Sequence, residues 1–214
     1  MTGLPINWGG TMAINSKNEI CNMGISLLGS YDPVQNIDTP VSSVELVCAL
    51  WYDITRQSLL KEVMPNFALA RRVVSQTDDD PDFGFEYVYE YPSDCLKVLG
   101  IGNIKDKENN YTVENGKIYA EIDYENGLEL RFIRDVTDVT TFSPEFKILL
   151  AKAVAANIAM PLTQDLQKAQ MAMQLLPAAM SAASSLNAQE NRPIRISHSR
   201  YRTARYGSSE QVKR

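Results

Sequence analysis

The sequence predicts an α+β protein: a bundle of about four helices with a central antiparallel β insertion and an extended C-terminal arm. Helical patterns flank residues 67–135, which are rich in Val, Ile, Tyr and Phe and often alternate between apolar and polar. Short turn signals join segments of this middle region, and strands joined by short turns run antiparallel. We therefore expect a body at residues 1–190 and an arm at residues 191–214.

Two helices are predicted before the β insertion, at residues 16–28 and 43–64. Ser16 with Glu19, and Ser42 with Glu45, have the spacing of capping boxes, in which the Glu reaches back to the cap amide. Gly29 should end the first helix and Pro65 the second. The apolar positions expected to face the core are Ile20, Met23, Leu27 and Leu28, then Val44, Val47, Cys48, Trp51 and Ile54.

The β insertion is predicted to hold several short strands. Asn115-Gly116 favours a type I′ hairpin turn, because both residue types tolerate positive φ angles. Glu125-Asn126-Gly127 suggests a second reversal. The predicted strand segments are 67–74, 85–91, 95–101, 111–113, 117–122 and 128–135.

Two further helices are predicted after the insertion, at residues 144–160 and 163–190. Ser143-Pro144 supplies a cap followed by a first-turn proline. Pro161 should interrupt the third helix, Thr163 should cap the fourth, and Pro177 should bend it. We expect the core of the body to include Trp51, Phe146, Leu149 and Leu150.

Composition indicates a soluble globular chain. At 214 residues, with 44% apolar and 22% charged residues, a single core can be built without disulfides or a metal. The longest apolar helical stretch, residues 148–160, contains Lys152 and is short for a membrane span. The N-terminus lacks the pattern of a secretory signal. The three cysteines are widely spaced, which is typical of buried free thiols in a reducing compartment.

The residues with reactive side chains do not form a pattern typical of an enzyme, and we expect no cofactor or metal. The one histidine, His198, lies in the arm, so a histidine triad or a multi-histidine zinc site in the body is excluded. Cys95 beside Asp94 is interpreted as strand packing, because a nearby anion makes a thiol less reactive. Two groups are interpreted as solvated charge rather than as a cation site or an acid/base pair: Asp78, Asp79, Asp80 and Asp82, and Arg131, Arg134, Asp135 and Asp138.

Charge is divided unevenly between body and arm. The arm carries seven basic residues against one acidic residue, a balance of +6, which leaves 14 basic and 25 acidic residues, or −11, for the body. Such an arm is too poor in large aliphatic residues to fold alone and should bind an acidic target. Nucleic acid, an acidic protein groove or plain solvent remain possible for the candidate binding residues Arg192, Arg195, Arg200, Tyr201, Arg202, Arg205 and Tyr206. His198 is interpreted as a neutral polar contact rather than a pH sensor.

Five short segments occur in order between about residues 14 and 190: NMGISLLG at 22–29, PNFA at 65–68, YVYEYPSDCLKV at 87–98, FSPEF at 142–146 and IAMPLTQD at 158–165. This ordered series resembles the head-to-tail connector (adaptor) proteins of short-tailed bacteriophages, also called tail tubular protein A. Pro65 departs from the family, in which a tryptophan is expected, and the arginine-rich arm matches none of its motifs.

The resemblance implies a non-enzymatic virion subunit in a ring of about twelve copies, assembled in the host cytoplasm and placed in the neck between portal and tail. The implied partners are the portal protein, the tail nozzle or tail tube protein, further copies of the chain, and DNA that passes without specific binding; no membrane is implied. The family's C-terminal segment extends from the last helix and docks on the portal, which here corresponds to residues 191–214. An acidic channel wall would repel phosphate and so reduce sticking of DNA. The alternative is a nucleic-acid-binding protein that uses its basic arm.

Overall fold

The computed structural model describes residues 14–29, 33–79, 81, 83–102, 111–121 and 127–190. These residues form four helices and two three-stranded antiparallel sheets, which confirms the predicted α+β class. The helices are α1 (Lys17–Leu27), α2 (Ser43–Val63), α3 (Pro144–Thr163) and α4 (Leu166–Glu190). The strands are β1 (Leu69–Val74), β2 (Tyr87–Glu90), β3 (Cys95–Ile101), β4 (Tyr111–Glu114), β5 (Lys117–Ala120) and β6 (Leu128–Arg134).

The first two helices begin at the predicted capping boxes. Ser16 and Ser42 each accept a hydrogen bond from the backbone amide three residues later, and Glu19 and Glu45 accept from the cap amides in return. α1 ends at Leu27, and Leu28 is followed by Gly29, whose φ is +71°, so the helix ends where the glycine predicted. α2 ends one residue before Met64, which adopts a left-handed conformation ahead of Pro65.

α3 is the central helix of the bundle and packs against α1, α2 and α4. Its buried residues lie on every side, among them Phe146, Leu149 and Leu150, as predicted. α1 approaches it closely at Gly24, where an added Cβ would lie 2.8 Å from the carbonyl oxygen of Ala151. α3 is also long and apolar enough to cross a membrane by length and composition alone, with a mean hydropathy of 1.4, and it is the one such helix among the described residues. A core helix of a globular fold can have the same length and hydropathy, and 56% of the apolar window of α3 is buried inside the body.

The two sheets stack on the bundle in layers. The first has the order β1-β6-β3 and the second the order β2-β5-β4. One face of β6 places Ile133 in the helical core, and the opposite face places Leu130 and Phe132 in a second core between the sheets. The first sheet is therefore the middle layer of the body.

The predicted hairpin at Asn115-Gly116 is confirmed, with φ angles of 49° and 71° in the turn between β4 and β5. The second predicted reversal, at Glu125-Asn126-Gly127, lies mostly outside the described residues, and β5 does not pair with β6. β5 already has β2 and β4 as neighbours, whereas β6 has β1 and β3. The connection after β5 therefore crosses from the second sheet to the first.

Two helix boundaries differ from the prediction. Pro161 does not interrupt α3; it lies inside the last turn of the helix, which continues to Thr163. Thr163 does not cap α4. Its hydroxyl accepts from the amide of Asp165, and the Asp165 carboxylate accepts from the amides of Gln167 and Lys168, which makes Asp165 the cap. α4 accordingly begins at Leu166.

The prediction that Trp51 lies in the core is wrong, because this side chain is 38% exposed. Ile54 and Leu27, also expected on buried faces, are exposed. The buried face of α2 instead carries Glu45, Cys48, Tyr52, Thr55, Arg56, Leu59, Leu60 and Val63. Three of these are polar or charged, so a search for apolar residues alone identifies the wrong face of the helix.

Candidate functional site: the root of the arm and the outer helix faces

The binding residues predicted in the arm, Arg192, Arg195, Arg200, Tyr201, Arg202, Arg205 and Tyr206, lie outside the described residues, as does His198. The described chain ends at Glu190, the last residue of α4. The candidate site described below therefore consists of the end of α4, which precedes the arm, and the exposed helix surfaces of the body.

The end of α4 is fixed to the junction between α2 and β1 by a set of hydrogen bonds that we call the arm root, formed by Met64, Asn66, Asn187 and Glu190. The backbone amide of Asn66 donates to Oδ1 of Asn187 over 2.8 Å, and Nδ2 of Asn187 donates to the Met64 carbonyl oxygen over 3.2 Å. Nδ2 of Asn66 donates to the Asn187 carbonyl oxygen over 3.1 Å and to Oε2 of Glu190 over 2.9 Å. The end of α4, which directly precedes the arm in the sequence, is thus held in a defined position.

Local sequence explains why the α2–β1 junction can receive α4. Met64 turns left-handed, with φ 49°, and Pro65 follows in an extended conformation. The carbonyl of Met64 and the amide of Asn66 therefore take no part in the helical hydrogen bonds of α2, and both bond to the Asn187 side chain instead. Pro65 and Asn66 belong to the segment at 65–68 that carries part of the family resemblance.

An aromatic cluster lies next to the arm root. Phe67, Phe142 and Phe146 have ring centroids 5.2 to 5.4 Å apart, in stacked and edge-to-face arrangements. Such geometries add to the stability gained from burial alone. A hollow of about 230 Å³ lies between this cluster and the last turns of α4, with Glu145 and Glu190 among its lining residues.

The outer face of α2 carries an apolar surface that we call the α2 stripe: Leu46, Leu50, Trp51 and Ile54. These side chains are between 38% and 62% exposed. Further along the same face the exposed residues become polar, with Ser58 and Lys61. The stripe is therefore confined to the first half of the helix, and it is not what a solvated helix face usually presents.

The outer surface of α4 is unusual because it is almost without charge. Its 25 residues include two charged ones, Lys168 and Glu190. One flank exposes residues spaced 4, 3, 4 and 4 apart, which places them in a row along the helix. We call this row the α4 stripe: Met171, Leu175, Ala178, Ala182 and Leu186.

A buried charged cluster joins α2 to the end of β6, and sequence reasoning missed it. The guanidinium of Arg56, only 2% exposed, donates to the carboxylates of Asp53 and Asp135 and to the carbonyl oxygen of Val136. Burial lowers the pKa of Arg56, but hydrogen bonds and charge from the two aspartates outweigh this and leave the pKa raised. Arg56 therefore stays protonated. Asp135 is a structural partner of Arg56, more specific than the charged strand end that was predicted.

The remaining residues that the sequence analysis considered for chemistry include an ion pair and three buried cysteines. Within the described residues no group of three or more His, Cys, Asp or Glu side chains could hold a metal ion. Asp79 pairs with Lys117 over 2.6 Å, which lowers the pKa of Asp79, whereas Asp80 and Asp82 lie outside the described residues. All three cysteines are free and buried, as predicted. A hydrogen bond with Cys48 and burial raise the pKa of Cys21, and burial raises that of Cys95.

A small cationic patch lies on the face of the first sheet that also carries Leu69 and Ile133. Arg71 of β1 and Arg131 of β6 are directly paired positions, and both line an open depression of about 390 Å³. Like charges directly opposite one another destabilise a sheet slightly. The pattern of two arginines in a row in β1, Arg71-Arg72, was the available sequence signal for this patch.

Comparison with protein-family models finds none that matches the chain, and comparison with curated proteins finds no significant match.

Proposed function

We propose that the chain is a structural subunit of a phage head-to-tail connector ring, which joins the portal to the tail and forms part of the DNA channel. The observation that carries the proposal is the combination of an acidic body with a basic arm that starts at the end of α4. The arm has a charge of +6 and the body −11. The arm root fixes the place from which the arm leaves, which suits a segment that must reach a neighbouring protein.

The charge of the body supports a role beside DNA rather than on it. A wall with excess carboxylates repels phosphate, so a duplex can pass without being held. The proposal assigns the chain no catalytic activity, and it places the chain in the virion neck after assembly in the host cytoplasm. Its other partner is the tail nozzle or tail tube protein, on the side of the ring away from the portal.

The arm should bind the portal through its arginines. A planar guanidinium can hold a carboxylate through two parallel hydrogen bonds, and tyrosines add contact area. Fully extended, the 24 residues of the arm reach about 80 Å at roughly 3.3 Å each. That is enough to cross a neighbouring subunit. Ordering the arm costs roughly 1 kcal/mol or more per residue, so a weak set of contacts would not hold it.

The test compares two truncations for binding to purified portal protein. Removing residues 191–214 deletes the seven candidate binding residues, whereas removing residues 207–214 keeps them and serves as the control. We expect the shorter truncation to bind portal like the full chain and the longer one to lose binding while its body stays folded. Equal binding by the full chain and the chain without residues 191–214 would contradict the arm's role.

A second candidate function is nucleic-acid binding, favoured by the same arginines with Tyr201 and Tyr206 and by the cationic patch at Arg71 and Arg131. Charge and base stacking would then hold a single strand. This function requires strongly salt-dependent binding of DNA by the isolated subunit, lost with residues 191–214, and attachment to portal that the truncation leaves unchanged. The same pair of truncated chains therefore separates the two functions.

A further inference from the structure

α2 and α4 each expose an apolar stripe, and the two stripes lie on helices that scarcely touch. Both helices pack against α3, and their direct contact is small. The α2 stripe and the α4 stripe are therefore separate surfaces of one body. A contact between two different surfaces of identical chains is heterologous, and repeated heterologous contacts form a ring when the rotation between neighbouring copies closes.

The shapes of the two stripes are complementary. The α2 stripe consists of large side chains and extends about 12 Å along its helix, from Leu46 to Ile54. The α4 stripe has small residues at its centre, Ala178 and Ala182, and larger ones on either side, Leu175 and Leu186. Large side chains facing small ones allow two helices to interdigitate. From Leu175 to Leu186 the helix extends about 16 Å, so the α2 stripe fits between them.

The distribution of charge leaves α4 as a surface that a second copy can approach. The body carries −11, so most approaches of one body to another are repelled at low salt. α4 is the exception, because between Lys168 and Glu190 it has no charged residue. The chain's own stripe on α2, with its exposed tryptophan, is the kind of apolar surface that such a neutral helix can bury.

We propose that the α2 stripe of one copy packs on the α4 stripe of the next copy. This inference rests on the proposed ring role and deepens it by naming the two surfaces that meet. Leu50 and Ile54 are the side chains that enter the space above Ala178 and Ala182. The contact runs head to tail, so each copy uses its α2 stripe on one neighbour and its α4 stripe on the other.

The first test is cross-linking between engineered thiols in the otherwise intact chain. Ile54→Cys chains are mixed with Ala182→Cys chains and treated with a short bismaleimide, while the natural cysteines are buried. We expect a cross-linked pair containing one chain of each kind, and a ladder of larger species from the double variant. The control mixture replaces Ile54→Cys with Ser58→Cys, on the same face of α2 but beyond the stripe, and should give little product.

Two results would overturn the inference. One is a cross-linked pair from Ile54→Cys chains alone in equal yield, which indicates a face-to-face dimer. The other is no more product from the test mixture than from the Ser58→Cys control. Portal is absent from the experiment, so cross-linking without any portal binding would leave this contact standing and contradict the connector role. Portal binding without cross-linking would contradict this contact and leave the connector role standing.

A second measurement uses charge instead of cross-linking. Leu50→Glu places a carboxylate in the middle of the α2 stripe, and Ser58→Glu adds the same charge on the same face outside it. By sedimentation at increasing protein concentration, we expect Leu50→Glu to weaken self-association roughly tenfold or more, as loss of a central contact residue usually does. Equal association constants for the two variants would count against the proposed contact.

Discussion

The guanidinium of Arg56 binds the carboxylate of Asp135, 79 residues further along the chain, and so ties α2 to the end of β6. The same guanidinium donates to the carbonyl oxygen of Val136 over 2.7 Å. Nε2 of Gln57 donates to the other carboxylate oxygen of Asp135 over 2.9 Å. The helical core and the β layers are thereby held in one relative position by a charged contact as well as by packing.

Asp135→Asn should destabilise the body substantially. The change leaves the buried guanidinium of Arg56 with one carboxylate, Asp53, whose side chain is largely in water. Breaking a buried ion pair usually costs about 3–5 kcal/mol, and we expect about 2–3 kcal/mol here because Asp53 and Val136 remain. Urea unfolding measures the loss. Asp53→Asn is the control and should cost less than about 1 kcal/mol, as exposed pairs do; equal losses would contradict the assigned roles.

The sequence predicts the local structure well and the buried charges poorly. The capping boxes, the Ser143 cap and the Asn115-Gly116 turn are decided by residues three or fewer positions apart, so a pattern reveals them. Arg56 is buried because Asp135 lies opposite it, and no local pattern encodes a partner 79 residues away. Trp51 was placed in the core because it is apolar, although among the described residues its side of α2 is exposed.

The surfaces on which the two proposals rest also divide into features that the sequence shows and features that it does not. The basic arm can be recognised from composition. The arm root cannot, because it depends on a hydrogen bond between Asn66 and Asn187, which are 121 residues apart in the sequence. The α4 stripe was partly visible as an uncharged run of Ala, Ser and Met. Its relation to the α2 stripe required knowing which residues α3 already covers.

Glu45 should make stability depend on pH below about 4.5. Its two carboxylate oxygens accept four backbone amides, those of Gln35, Asn36, Val41 and Ser42, which lowers its pKa from 4.5 to about 2. A carboxylate with a lowered pKa stabilises the fold above its unfolded pKa, and that stabilisation is lost as the pH falls towards the folded value. The stabilisation from Glu45 should therefore be full above about pH 5 and decline between about pH 4.5 and 2.

The measurement compares the free energy of unfolding of the natural chain and Glu45→Gln across that pH range. We expect a constant difference above pH 5 that narrows steadily on acidification. Glu62→Gln, at an exposed position on the same helix, removes the same charge and serves as the control. A difference between the natural chain and Glu45→Gln that stays the same down to pH 2 would show that the carboxylate charge is not what holds this loop.

Phe146→Ala should be among the most destabilising single changes in the bundle. The ring is 1% exposed and contacts both Phe67 and Phe142. Truncation removes buried surface and leaves a cavity, which usually costs about 3–5 kcal/mol for a phenylalanine. Ile54→Ala, on the exposed side of α2, should cost less than about 1 kcal/mol in a monomeric sample. A denaturation midpoint unmoved by Phe146→Ala would contradict this packing.

Asn187→Ala should loosen the arm root without unfolding the body. The change removes the acceptor for the Asn66 amide and the donor to the Met64 carbonyl, which should cost about 1–3 kcal/mol. Hydrogen exchange should accelerate in the last two turns of α4 and remain unchanged in α3. Ser184→Ala, exposed on the same helix, should leave both unaltered. Equal exchange in the two variants would mean that these hydrogen bonds do not hold the end of α4.

Replacing the five arginines between residues 192 and 205 with lysine should distinguish the two candidate functions proposed for the arm, because it keeps the charge and removes the planar guanidinium. Binding to DNA depends mainly on the number of phosphates neutralised, so its affinity and salt dependence should change little. If the arm docks on portal carboxylates as proposed, it depends on paired hydrogen bonds, and we expect portal affinity to fall at least tenfold, equivalent to about 1.4 kcal/mol. Calorimetry with purified portal and with duplex DNA measures both. Unchanged portal affinity would mean that the arm acts through charge alone, and the proposed carboxylate grip would be wrong.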